Sequence, residues 1–148
     1  MEIKLIKTGT KDYEEMVHLR KKMLLDPFGI SHSYINPEQE RQHFLVGAFE
    51  DALIGCCLLS RIGDSTLQLR QMAVNIDFQG RGVGAAIVAF AEELAKKNGF
   101  TKLVLHARDT AKGFYSKCGY QVVGDEFYEV GLKHFLMEKE VVGMKDWK

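Results

Sequence analysis

Apolar positions along the chain recur with two spacings, and these separate the predicted strands from the predicted helices. Short apolar runs and alternating patterns predict strands at residues 3–5, 44–49, 52–59, 67–74, 102–107, 120–124 and 135–141. Apolar residues three or four positions apart predict helices that begin near residues 12, 84 and 110. Both prolines lie in residues 26–37, where a loop is predicted, with a short helix after it. The order β-α-loop-β-β-β-α-β-α-β-β indicates a mixed α/β fold with helices across its sheet.

Capping and stop signals place the ends of these helices. Thr10 or Asp12 is suited to cap the first helix, whose apolar face also carries Arg20. Asn98-Gly99 is a typical end of the second helix. Asp109 or Thr110 is suited to cap the third, short helix.

A glycine-rich turn joins the strand that ends at Val74 to the second helix. Its sequence is Gln79-Gly80-Arg81-Gly82-Val83-Gly84. Backbone N–H groups at a helix start lie at the positive end of the helix dipole, and Gly82 and Gly84 lack side chains that would keep a ligand away from them. The turn is therefore predicted to bind an anion such as a pyrophosphate. The glycine spacing fits neither a Walker loop nor a dinucleotide fingerprint, and a phosphate contact of the Arg81 side chain stays open.

Composition sets broad limits on what the chain does. The 148 residues suffice for one domain, residues 1–148, and 46% of them are hydrophobic. Lys plus Arg and Asp plus Glu number 20 each, so no charge excess favours a nucleic-acid partner. Three cysteines stand at no metal-ligand spacing, so no metal is expected. With no signal-peptide pattern and no run of about 20 apolar residues, we expect a cytoplasmic protein without membrane contact.

Two segments on either side of the glycine-rich turn complete a larger pattern. Met72-Ala73-Val74 precedes the turn, and Gly113-Phe114-Tyr115-Ser116-Lys117-Cys118-Gly119-Tyr120 follows it on the short predicted helix. Together with Phe78 to Gly84, these segments resemble the GNAT superfamily of acyl-CoA-dependent N-acyltransferases, and the match covers residues 67–124. The resemblance implies a GNAT-type mixed, mostly antiparallel central sheet with helices on both faces and splayed central strands.

The resemblance also implies how acetyl-CoA (coenzyme A) is bound. The backbone of the turn would bind the pyrophosphate, and the strand end, opened by a bulge, would bind the pantetheine arm. Tyr115 would be the catalytic acid for the departing thiolate. Asp109 stands where the family often has an asparagine that contacts the pantetheine, so a ligand contact and a helix cap both stay open. The predicted cofactor-binding residues are Met72, Ala73, Val74, Gln79, Gly80, Arg81, Gly82, Val83, Gly84 and Asp109.

The implied reaction moves an acetyl group from acetyl-CoA to a primary amine by direct attack in a ternary complex. The acceptor is a small-molecule amine or a protein amine, and the sequence does not choose between them. The general base is also open, because the polar residues before the turn are Gln68, Arg70 and Gln71. That lack of a carboxylate favours an alternative, a catalytically silent CoA-binding regulatory module.

Three further residues are candidate substrate contacts. They are His106, Glu126 and His134. A hydrogen-bonded structural histidine is the alternative for His106. Glu126 and His134 lie, with Glu129, where the closing strands could border an amine pocket, and a surface charge is the alternative for each of them. The closing strands could also carry a homodimer contact.

Overall fold

Residues 1–141 are described by the structure, a computed structural model. The strands are β1 (Glu2–Ile6), β2 (Phe44–Glu50), β3 (Ala52–Arg61), β4 (Thr66–Val74), β5 (Lys102–Arg108), β6 (Gln121–Val122), β7 (Phe127–Glu129) and β8 (Leu132–Glu140). The α-helices are α1 (Lys11–Arg20), α2 (Pro37–Glu40), α3 (Val83–Lys97) and α4 (Lys112–Lys117). Among residues 1–141, no helix is long and apolar enough to cross a lipid bilayer.

The strands form a mixed sheet in the order β1-β2-β3-β4-β5-β8-β6, with β7 paired to β8. Antiparallel pairs join β1 to β2, β2 to β3, and β8 to each of β5, β6 and β7. The pair of β4 and β5 is parallel. The predicted mixed α/β fold with a mostly antiparallel sheet is therefore confirmed.

Residues 1–60 and 70–90 form one compact unit. Its α1 begins after Thr10, whose hydroxyl accepts a hydrogen bond from the Tyr13 amide. The start of α3 lies directly against β3 at Gly55, where a Cβ would lie 2.9 Å from Ile87 Cδ1 and 3.1 Å from Val83 Cγ1. A larger residue there would require the Ile87 and Val83 side chains to shift, so Gly55 lets the start of α3 pack closely on β3. The core under α1 consists of Ile6, Tyr13, Met16, Leu19, Leu45, Phe49, Leu53, Cys56, Leu58 and Ala73.

The second compact unit consists of residues 61–69 and 91–141. Its sheet pairs Thr66 to Leu69 of β4 with Lys102 to Leu105 of β5, and continues from β5 to β8. Leu103 and Met137 are fully buried. Side chains therefore alternate along β5 between a buried face and a more accessible face that carries His106, as the sequence predicts.

Two features of the last third of the chain differ from the sequence prediction. No strand is predicted between residues 124 and 135, yet β7 lies there and pairs with β8. The connecting residues Val130 and Gly131 both have positive φ, 48° and 76°. Valine rarely adopts this conformation, so the hairpin has no recognisable turn signal. The cap prediction is also wrong, because α4 begins after Ala111 without a side-chain cap and Asp109 lies in the preceding 3-10 turn.

Candidate active site

The turn between β4 and α3 has an open backbone that depends on glycine. Gly80 and Gly82 have φ values of 76° and 83°, a region in which L side chains are strained. A Cβ at either position would meet no atom within 4 Å. Open space beside backbone amides is the arrangement that binds anions such as phosphate.

The first turn of α3 supplies backbone N–H groups at the same place. The Ala86 amide donates to the Gly82 carbonyl over 3.0 Å. The amides of Val83 and Gly84 precede it, at positions where a helix has no acceptor of its own. The Val83 side chain is buried and packs toward Gly55. It therefore anchors the helix start, and its contribution to a ligand would come from its amide at the positive end of the helix dipole.

Polar side chains hold the turn against the end of β4. The Gln79 side-chain amide donates to the Val74 carbonyl over 2.9 Å. Asn75 accepts a hydrogen bond from the Asp77 amide, at 3.0 Å. The exposed Arg81 guanidinium lies over the Phe78 ring, 5.4 Å from its centroid. Gln79 thus has a bracing role within the turn, and Arg81 lies at the surface beside it.

The end of β4 contains a non-glycine residue in a left-handed conformation. Gln71 has a φ of 51°, and a left-handed residue inside a strand is typical of a β-bulge. After it, Met72 and Val74 are half-buried, whereas Ala73 belongs to the core under α1. Any ligand contact of Ala73 must therefore come from its backbone.

A buried ion pair lies beside this strand end. Arg20, with no exposed surface, donates from Nη1 and Nη2 to the two carboxylate oxygens of Glu40, at 2.9 and 2.5 Å. The Tyr13 hydroxyl donates to the same carboxylate over 2.7 Å. Arg20 Nε donates to Oε1 of Gln71 over 2.8 Å. Helix α1 and the bulge of β4 are thus joined through one fixed guanidinium group.

The pKa shifts of this cluster follow from burial and from the pair itself. Burial alone would raise the pKa of Glu40, but the hydrogen bonds and charge of Arg20 outweigh it and hold that pKa below its usual range. Burial raises the pKa of the Tyr13 hydroxyl, and its bond to Glu40 adds to the effect. The pair is therefore ionised at neutral pH. The sequence predicts only that Arg20 lies on the apolar face of its helix; Glu40 carries no signal as its partner.

A second set of polar side chains, those of Arg70, Ser60 and His43, lies next to this cluster. Arg70 donates to the Ser60 hydroxyl over 3.2 Å. Burial lowers the pKa of His43, and the positive charge of Arg70 lowers it further. No carboxylate of β4 takes part in either cluster, since β4 has no Asp or Glu.

Tyr115, the predicted catalytic acid, lies on α4 and is 6% exposed. Its ring packs edge-on against Phe114 and Tyr120, with centroid distances of 4.9 and 6.0 Å. The Tyr120 hydroxyl donates a hydrogen bond to the Glu92 carboxylate over 3.1 Å. The neighbouring rings restrict the orientation of the Tyr115 phenol, which a proton donor requires.

The three predicted substrate contacts occupy different environments. His106 is exposed on β5, and its Nδ1 lies 2.9 Å from Oε2 of Glu129. His134 is buried, with Nδ1 bonded to the Leu132 carbonyl at 2.8 Å. Glu126 is exposed and lies 3.7 Å from Lys133 Nζ. The surface-charge alternative therefore does not apply to His134. Glu129, which the sequence places with Glu126 and His134 beside a possible amine pocket, is the hydrogen-bond partner of His106.

Comparison with known proteins places these features in a family. Residues 15–141 match the family model described as "Acetyltransferase (GNAT) domain". The "Uncharacterized protein YyaT" of Bacillus subtilis (strain 168) is 32% identical over 146 residues, covering 95% of this chain and 97% of that protein. A GNAT family acetyltransferase from Elizabethkingia anophelis, solved with acetyl-CoA bound, is 22% identical over 95% of this chain and 97% of its own, with a TM-score of 0.72. An aminoglycoside 6'-N-acetyltransferase complexed with coenzyme A is 16% identical over 96% and 98%, with a TM-score of 0.81.

Proposed function

This chain belongs to the GNAT acetyltransferase family, and on that premise we propose that it transfers an acetyl group from acetyl-CoA to a primary amine. One observation carries the choice of donor. Gly80 and Gly82 hold a turn whose side-chain space is empty, directly before the first amides of α3, which have no acceptor within the helix. A pyrophosphate needs this combination of access and N–H donors.

The residues of β4 and the turn divide the binding of acetyl-CoA between them. The amides of Gly82, Val83 and Gly84 bind the pyrophosphate, and Gln79 keeps the turn in place through its bond to Val74. The backbone of Met72 and Val74 pairs with the amide groups of the pantetheine arm, in the manner of an added strand. Acetyl-CoA supplies an activated thioester carbonyl. Ala73 acts through its backbone, and we assign no contact to Asp109.

Tyr115 acts as the acid of the reaction. A phenol keeps its proton at neutral pH and can give it to a departing thiolate. The acceptor amine attacks directly, without an acyl-enzyme. Burial raises the pKa of both Cys56 and Cys57, to about 12 for Cys56, and neither thiol is therefore a competent nucleophile.

A catalytically silent CoA-binding module is the second candidate. The observation that favours it is the absence of any carboxylate on β4, where Arg70 and Gln71 are instead held by Ser60 and Arg20. Such a module would bind coenzyme A at the same turn. Unlike the enzyme, it would not transfer an acetyl group after binding.

Two measurements separate the candidates. Calorimetric titration with coenzyme A tests the turn, and thiol release from acetyl-CoA tests turnover across small amines, polyamines, amino sugars, peptide N-termini and lysine side chains. We expect saturable binding, together with thiol release that depends on at least one acceptor. Binding without acceptor-dependent release on any amine supports the silent module. No binding of coenzyme A refutes both candidates.

A further inference from the structure

His106 and Glu129 form a histidine–carboxylate pair across two strands. Nδ1 of His106, on β5, lies 2.9 Å from Oε2 of Glu129, on β7. A carboxylate only accepts, so Nδ1 carries the hydrogen and the lone pair of the neutral ring lies on Nε2. Among residues 1–141 the ring makes no second hydrogen bond. Glu129 therefore sets the tautomer that presents Nε2 as a proton acceptor.

Aromatic packing fixes the direction of the imidazole. The ring meets Phe127 edge-on, with centroids 5.1 Å apart and an interplanar angle of 79°. Phe127 in turn stacks on His134 at 5.8 Å and 28°. His134 is anchored because its Nδ1 donates to the Leu132 carbonyl over 2.8 Å. Two further rings and one backbone bond thus hold His106 in place, a degree of restraint that a solvated surface histidine lacks.

The sheet register defines what surrounds the ring within its own unit. His106 is paired with Leu136 of β8 and shares a face with Val104, which is paired with Gln68 of β4. The charged or titratable groups on this face are Glu129 on β7, Lys102 and Arg108 on β5, and His134, Glu138 and Glu140 on β8. Glu138 is 3.6 Å from Lys102 Nζ, and burial lowers the pKa of Arg108. The carboxylate in contact with His106 is thus Glu129.

We infer that Nε2 of His106 is the general base of the acetyl transfer, oriented by Glu129, an inference that rests on the function proposed above. His106 supplies the general base that β4 lacks, since Gln68, Arg70 and Gln71 cannot accept a proton at neutral pH. The side chain of His106 is 37% exposed, so part of the imidazole is accessible to an acceptor amine. A positioned imidazole of this kind contributes roughly 10²–10⁴-fold to a rate.

His106 and Tyr115 together account for every proton that moves in the reaction. The lone pair of the acceptor nitrogen forms the new C–N bond, and His106 takes one proton from that nitrogen. The electron pair of the broken C–S bond goes to sulfur, which receives the Tyr115 proton. The imidazolium then returns its proton to the phenolate through solvent, so both residues end as they began and the products are an amide and a free thiol.

The test is the pH dependence of kcat/KM for His106→Gln, with the acceptor found in the amine panel. The matched control is His32→Gln, which removes the other exposed histidine–carboxylate pair, His32 Nε2 to Asp26 Oδ1 at 2.6 Å. We expect His106→Gln to lower kcat by about 10²–10⁴-fold and to leave the Kd for coenzyme A within about twofold of wild type. The ratio of wild-type to variant kcat/KM at each pH cancels the titration of the amine. This ratio should fall as the pH is lowered and the wild-type imidazole becomes protonated.

Two further variants separate catalysis from structure. Glu129→Gln should reduce kcat less than His106→Gln and keep the fall of activity at low pH, because the base is still present. In His106→Ala, added imidazole should restore part of kcat in a saturable way, which a structural role would not produce. The His106→Ala measurement also decides the question if His106→Gln does not fold.

The outcomes distinguish this inference from the proposed function. Acceptor-dependent turnover by wild type, with a constant wild-type to variant ratio across pH and no imidazole rescue, overturns His106 as the base and leaves the acetyltransferase standing. A loss of activity of equal size in His32→Gln also overturns the assignment. Binding of coenzyme A without turnover on any amine overturns both.

Discussion

Replacing Glu40 with glutamine should destabilise the protein far more than the same replacement at an exposed glutamate. The Glu40 carboxylate accepts three hydrogen bonds, from Arg20 Nη1 at 2.9 Å, from Arg20 Nη2 at 2.5 Å and from the Tyr13 hydroxyl at 2.7 Å. Arg20 has no exposed surface, and Glu40 is 4% exposed. No solvent is therefore present to replace what the substitution removes.

The size of the effect follows from these contacts. In Glu40→Gln the side-chain oxygen can keep one guanidinium bond, but the new NH₂ group faces a second N–H donor. At least one charge-assisted hydrogen bond is lost, at about 1.5–3 kcal/mol, and the Arg20 charge is left buried without its counterion. Breaking a buried pair in this way costs about 3–5 kcal/mol. This is a large part of a total stability of about 5–15 kcal/mol and corresponds to a fall in Tm of about 10 °C.

Urea unfolding followed by circular dichroism measures the change, with Glu38→Gln as the control. Glu38 lies on the same helix and pairs with Arg41 at 3.1 Å, but both side chains are well exposed. An exposed pair contributes about 0–1 kcal/mol, so this variant should behave like wild type. The double variant Arg20→Met, Glu40→Leu should recover most of the loss, because it removes both charges together. A Glu40→Gln effect below about 1 kcal/mol would refute the reasoning.

The pH dependence gives a second check on the same pair. The pKa of Glu40 lies below its usual range in the folded protein. A depressed carboxyl pKa means that the stabilisation is fully present above the unfolded pKa of about 4.3 and is lost as the pH falls through the folded value. Wild type should therefore lose stability below about pH 4 more steeply than Glu40→Gln. Parallel curves for the two proteins would contradict this.

Two further substitutions and one labelling experiment test other parts of the protein. Gly82→Ala, at a φ of 83° with open space around it, should cost about 1–3 kcal/mol of stability and weaken coenzyme A binding, measured by calorimetry, because its methyl group stands where the pyrophosphate is proposed to bind. Tyr115→Phe should lower kcat by roughly 10²-fold or more with an unchanged Kd for coenzyme A; unchanged turnover would remove Tyr115 as the acid. Cys57 is fully buried and its pKa is raised, so it should resist alkylation at pH 8 in the folded protein. Half-buried Cys118 should react first. Mass spectrometry after digestion measures the order in which the two cysteines are alkylated.

The features that were predictable from sequence are those determined by neighbouring residues. The glycine-rich turn, the strand before it and helix α3 lie within residues 66–97 and match their predicted positions. Glycine conformation, helical spacing and an alternating strand are all local properties. The side-chain roles within the turn are less local, since Gln79 acts on the Val74 carbonyl and Val83 packs toward Gly55.

Several side-chain contacts described above join distant parts of the chain. Arg20 meets Glu40 across 20 residues and Gln71 across 51, and His106 meets Glu129 across 23. The β7 strand that carries Glu129 has no local signal, because its turn uses a valine at positive φ. Such contacts form only when packed elements bring the groups together. The spacing of hydrophobic residues predicts which face of an element a residue occupies. Its hydrogen-bond partner, in contrast, depends on which other element packs against that face.

The sequence by itself determined the family pattern and the glycine-rich turn, because a turn that opens a helix is specified by a few consecutive residues. Only the tertiary structure joined Arg20 to Glu40 and gave His106 a carboxylate partner. Hydrogen bonds between side chains depend on distances of about 3 Å, and no spacing along a chain encodes such a distance between residues that lie far apart in it.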